Sequence, residues 1–177
     1  MICICFGTND KWVSKLICWA TDAPYSHTWI EYPSMVWGGL WVAHSSENGV
    51  NKMPQELVRK AYPESEIYEC KLDMTDGFWW ARNYVGVADY DYTAAIWNGF
   101  LLALYGLTRW RWLYKIVYRN AAKVTCSEFG AGFVKHSGVA GAEDMDIELT
   151  TTGALRSFCK ASDDFEIING QDEDHGG

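Results

Sequence analysis

Lys123-Val124-Thr125-Cys126-Ser127-Glu128-Phe129-Gly130-Ala131-Gly132-Phe133-Val134 is the stretch on which the reading of this chain turns. It predicts a helix that starts at or just before Cys126, with Thr125 as its N-cap. The dipole and the unpaired N–H groups of a first helical turn favour an anion. The thiolate is the nucleophilic form of cysteine. This placement therefore predicts a thiol of lowered pKa, beside N–H groups suited to an oxyanion hole. A histidine close by would act as its general base. The plainer alternative is a buried structural cysteine.

The chain has four histidines. His27 lies in Tyr25-Ser26-His27-Thr28-Trp29-Ile30-Glu31, a predicted strand. Alternation puts His27, Trp29 and Glu31 on one face and Thr28 and Ile30 on the other. His44 lies on the next predicted strand, in Trp41-Val42-Ala43-His44-Ser45. If these strands pair antiparallel, the two rings sit across from one another. One then accepts the Cys126 proton while the other orients it. A lone strand histidine is otherwise a structural residue. His136 is about ten residues down the Cys126 helix, hence about 15 Å away, and His175 falls in the C-terminal tail.

Around these segments the pattern is mixed α+β. Residues 2–6 read as a strand, Lys11–Ala20 as a helix with Trp12, Leu16 and Trp19 at helical spacing, and Ser26–Tyr32 and Trp37–Ser45 as strands. Glu66–Leu72 reads as a fourth strand, Phe78–Ala88 as a helix and Phe165–Ile168 as a last strand. Thr150-Thr151-Thr152 caps a short helix through Phe158. Tyr92–Thr108 carries no charge, but at 17 residues it is short for a membrane span and reads as a buried helical pair. Arg109, Arg111, Lys115, Arg119 and Lys123 follow, interleaved with Trp110, Trp112, Tyr114 and Tyr118. The stretch reads as an amphipathic element whose cations face solvent or meet the acidic C-terminal part, with contact to a membrane surface or an anionic polymer through residues 109–119 as the alternative.

The 177 residues suit a single domain over 1–170 with an acidic, flexible tail at 171–177. The net charge of −8 belongs to the C-terminal fifth, where ten acids from Glu143 onward face only Arg156 and Lys160. The first 142 residues balance 13 acids with 13 bases. Such a chain lacks the basic footprint of a general nucleic-acid binder. Its six cysteines form no Cys-x-x-Cys pair and do not cluster with histidine, so neither a zinc site nor any other metal or cofactor is expected. The N-terminus has no basic region or cleavage site of a secretory signal, which predicts reduced thiols and a cytoplasmic or virion-associated protein.

The order of these pieces resembles the circularly permuted papain-like cysteine hydrolases of the NlpC type, in the branch that includes the lecithin:retinol acyltransferase relatives. The matching residues are Ser14–Trp19 running into Tyr25–Ile30, the strand Trp41–His44 with Gly49-Val50 beyond it, Tyr90-Asp91-Tyr92, Val124–Phe129, and Asp146–Thr151. The resemblance spans roughly residues 2–168. It implies a small antiparallel β-sheet packed against helices, with the nucleophile at a helix N-terminus. It implies Cys126 as nucleophile, His27 as base, and His44 as the third residue, with Glu31 and Ser45 as rivals for that place. Tyr25, Ser127 and Tyr92 are the expected substrate contacts. Tyr92–Lys123, long and aromatic, resembles an insertion beside the active site.

The expected function is a cysteine amidase or endopeptidase working through an acyl-enzyme. Peptidoglycan peptides are the commonest substrates in that wider group, which also has members in bacteriophage. Two alternatives stand beside it: a lipid-directed acyltransferase or amidase at a membrane surface, and a non-catalytic binding or structural module that keeps the fold.

Overall fold

The computed structural model describes residues 1–91, Trp97, Leu101, Leu104 and 123–169. Most of the expected aromatic insertion at 92–123, including Tyr92 and the cations at 109–119, lies outside the described residues, as does the acidic tail at 171–177. The described chain is α+β, with a six-stranded antiparallel sheet and five helices.

Strand β1 (Ile2–Thr8) is central and shows why the sheet is covered on both sides. Its alternation sends Ile4 and Phe6 to one face and Cys3 and Cys5 to the other, and all four are buried. It pairs with β2 (His27–Pro33) on one side and β5 (Glu64–Cys70) on the other. β3 (Leu40–Ser46) and β4 (Gly49–Pro54) extend the sheet beyond β2, and β8 (Phe165–Asn169) extends it beyond β5. Asp89–Tyr90 (β6) and Lys123–Val124 (β7) form a short parallel ladder.

Helices α1 (Trp12–Thr21), α2 (Gln55–Ala61) and α3 (Thr75–Ala81) precede α4 (Cys126–His136) and α5 (Thr152–Ala161). The larger core joins Ile4, Phe6, Ile30 and Tyr68 of the sheet to Phe129, Phe133 and Val134 of α4 and Leu155 of α5. The smaller core, on the opposite face, joins Cys3, Cys5, Trp29, Val42 and Ile67 to Val58 of α2. All six cysteines are free.

Several expectations shift. Strand β4 and helix α2 follow directly on the Glu47-Asn48 turn, where no element was expected. The helix read over Phe78–Ala88 ends at Ala81, and turns follow it. The apolar stripe of α1 does not enter the core: Trp12 and Trp19 are 75% and 74% exposed. Its spacing is helical, but the helix lies on the surface and turns Ser14 inward instead.

Candidate active site

Cys126 opens α4, and a complete capping box fixes it there. The Thr125 hydroxyl accepts from the Glu128 backbone N–H at 3.3 Å, and the Glu128 carboxylate accepts from the Thr125 N–H at 2.7 Å. Close approach sets the position of the helix against β2. At Gly130 a Cβ would stand 2.8 Å from Leu155 Cδ2 and 3.0 Å from Thr28 Cγ2. The Ser45 hydroxyl donates to the Val124 carbonyl at 2.5 Å and ties the segment before the helix to β3.

His27 and His44 come together as alternation predicts. β2 and β3 are antiparallel with Ile30 opposite Ala43. One step further along this register His44 faces Trp29, so His27 is its diagonal neighbour on the same face. His27 Nε2 and His44 Nδ1 are 3.0 Å apart in a buried hydrogen bond. Tyr62 stacks on the His27 ring at 4.7 Å between centroids and 17° between planes, and Trp29 packs beyond it. Burial pushes the His44 pKa down to about 4. Burial, and then the charge of His44, hold His27 well below the ordinary histidine range. Both rings are therefore neutral at pH 7.

The two rivals to His44 are committed elsewhere. The buried Glu31 carboxylate accepts from Trp29 Nε1 at 2.9 Å, from Arg59 Nε at 3.0 Å and Nη2 at 2.7 Å, and from Gln55. Those donors hold its pKa down against the burial that would raise it. Ser45 points to the α4 side and is bonded to Val124.

The thiol meets the His27 segment at its backbone. Cys126 Sγ donates to the Ser26 carbonyl at 3.9 Å. α4 packs on the face of β2 that carries Thr28, whereas His27 shares the opposite face with Trp29. Among the described residues no hydrogen bond joins Cys126 to either histidine. The pKa expectation is also corrected. The Cys126 thiol pKa is raised, because burial outweighs the groups that favour the thiolate: the Thr28 backbone, the Thr152 side chain and the Ser127 backbone. A helix N-terminus lowers a thiol pKa only while the desolvation it competes with is smaller.

Tyr25 lines the larger core and carries Arg156 over its ring at 5.5 Å. The Ser127 hydroxyl bonds that of Thr125 at 3.3 Å. His136 stacks on Trp80, away from the other histidines. Sequence reasoning missed Tyr62, which covers His27, and Thr152, which brings the first turn of α5 to the thiol. Neither carries a local signal, since each reaches the site from a distant part of the chain. Among the described residues no three His, Cys, Asp or Glu side chains are placed to hold a metal ion. Among them also, no helix is long and apolar enough to cross a membrane.

Compared with known proteins, the chain matches no family model and no curated sequence.

Proposed function

We propose that this chain is a cysteine hydrolase of permuted papain-like architecture, acting on amide or ester carbonyls through an acyl-enzyme. The observation that carries this reading is the buried His27–His44 pair, 3.0 Å apart, beside a cysteine capped at the start of α4 and lying against Ser26. With His27 Nε2 held by His44, Nδ1 is the nitrogen left to face a thiol. The thiol and imidazole are both neutral at rest, so His27 works as a general base during attack rather than as a preformed ion pair.

In the first half-reaction His27 Nδ1 takes the thiol proton as Cys126 Sγ bonds to the carbonyl carbon. The oxyanion is held by N–H groups of the first turn of α4, which have no partner within the helix. Collapse expels the amine or alkoxide, which leaves with the proton from His27. Water, deprotonated by the same ring, then attacks the thioester and releases the acid and the free thiol. Closing the dyad takes a rotation of the Cys126 side chain from the Ser26 carbonyl toward His27 Nδ1, with the His27–His44 bond kept, since catalytic hydrogen bonds are often loose before substrate arrives. Peptidoglycan peptides are the substrate class to test first, on the strength of the resemblance.

The burial of Cys126 supports a second reading, a non-catalytic module in which this thiol is a core residue. A panel of peptidoglycan stem peptides and activated esters separates the two. The hydrolase reading predicts turnover that Cys126→Ala and His27→Ala each abolish. Turnover unchanged in Cys126→Ala refutes it.

A further inference from the structure

Beyond His44 the buried polar chain continues one residue further. Tyr32 Oη, His44 Nε2 and Asn51 Oδ1 are the buried side-chain atoms that lack a hydrogen-bond partner among the described residues. The last two belong together. His44 and Asn51 are directly opposed on the β3–β4 ladder, so their side chains share one face. The Asn51 amide is also oriented by its other end. Nδ2 donates to Ser46 Oγ at 3.1 Å and to the Gly49 carbonyl at 3.4 Å. That assigns nitrogen to the turn and leaves Oδ1 as the group turned toward the sheet. Gly49 adopts φ +82° in this turn, and a Cβ there would strike the Ala88 carbonyl at 2.6 Å, so the turn that holds the amide has little freedom. An interaction with Asn51 also acts to raise the His44 pKa against burial, as a bond accepted from a ring N–H does.

We infer that Asn51 is a positioning residue that accepts a hydrogen bond from His44 Nε2–H and so fixes the tautomers of both histidines. A neutral imidazole carries one proton. If that proton is on Nε2 of His44, its Nδ1 must accept, so the 3.0 Å bond is donated by His27 Nε2–H. His27 Nδ1 is then left with its lone pair free. The reverse polarity would place a proton on Nδ1 of His27 and leave Asn51 Oδ1 and His44 Nε2 as two buried acceptors facing each other. Leaving a buried acceptor unpaired costs about 1–3 kcal/mol, so the first arrangement wins. Asn51 touches neither thiol nor substrate. It acts on the proposed base through His44, and its catalytic consequence rests on the reading of His27 given above.

Long-range 15N–1H NMR spectra of the whole chain, with histidine resonances assigned by single His→Gln variants, test this at pH 7.5. The expected result is that His27 and His44 are both protonated on Nε2. Asn51→Leu should remove that preference at His44, whereas Asn51→Asp, which keeps an acceptor, should retain it. The rate of Cys126 alkylation by iodoacetamide should fall about tenfold in Asn51→Leu, the size of one lost hydrogen bond, and stay within about threefold in Asn51→Asp. A wild-type His44 protonated on Nδ1 overturns the inference. So does a tautomer pattern identical in wild type and Asn51→Leu. Should Asn51→Leu not fold, the wild-type and Asn51→Asp spectra decide. The expected tautomers with a Cys126 that forms no acyl-enzyme would uphold Asn51 and refute the hydrolase reading.

Discussion

Two neutral histidines buried in one pair make the fold sensitive to mild acid. In the unfolded chain a histidine titrates near 6.5, while His44 in the fold titrates near 4 and His27 lower than an ordinary histidine. Between those values the unfolded state binds protons that the folded state excludes. Stability is therefore complete above the unfolded pKa and is lost as pH falls toward the folded one. Integrated from pH 7.5 to 5.5, His44 alone costs about 1.3 kcal/mol, and the lowered His27 adds a loss of the same sign. Glu31, whose pKa is lowered, loses its contribution only below the carboxylate range and stays outside this window. Glu128, raised by burial, gains protons on folding and partly offsets the loss. Comparison with a variant isolates the histidine contribution. Urea unfolding at the two pH values should show wild type losing about 0.6 M or more in midpoint, for an m-value of about 2 kcal/mol/M. In His44→Gln the loss between pH 7.5 and 5.5 should shrink by about 1.3 kcal/mol. A variant with the same pH loss as wild type would refute the buried neutral pair.

Gly130→Ala should destabilise the fold by about 1–2 kcal/mol in the same assay. The added Cβ meets Leu155 and Thr28, and this overpacking outweighs the helix propensity that alanine gains. Arg59→Met should cost about 2–3 kcal/mol in chemical unfolding. It leaves the buried Glu31 carboxylate without its ion pair, and the side-chain exposure of Arg59 keeps the loss below that of a fully buried pair. Thr125→Ala removes the capping hydroxyl of α4 and should cost about 1 kcal/mol, read as a lowered melting temperature.

What the sequence made legible was local. Thr125 announces the start of α4 because N-capping is decided within one turn. Strand alternation places His27 on the face that also receives His44. What it hid depends on distance along the chain. Asn51 sits on a strand too short and polar to stand out, and it matters only because β4 folds back on β3. Tyr62 and Thr152 reach the site from the α2–β5 connection and from α5. The direction of the Cys126 pKa was misjudged for the same reason: the helix dipole is read from position, whereas desolvation is a property of the packed core. The exposed stripe of α1 shows the converse, a helical period that marks a helix without saying which side the core lies on.

The central claim is that Cys126 becomes acylated with His27 as its base. The most direct measurement is mass-spectrometric mapping of the protein after brief exposure to an activated ester, with His27→Ala alongside. The account predicts a hydroxylamine-labile acyl group on Cys126 in wild type and its loss in His27→Ala. No acyl group on Cys126, or an equal yield in His27→Ala, would contradict it.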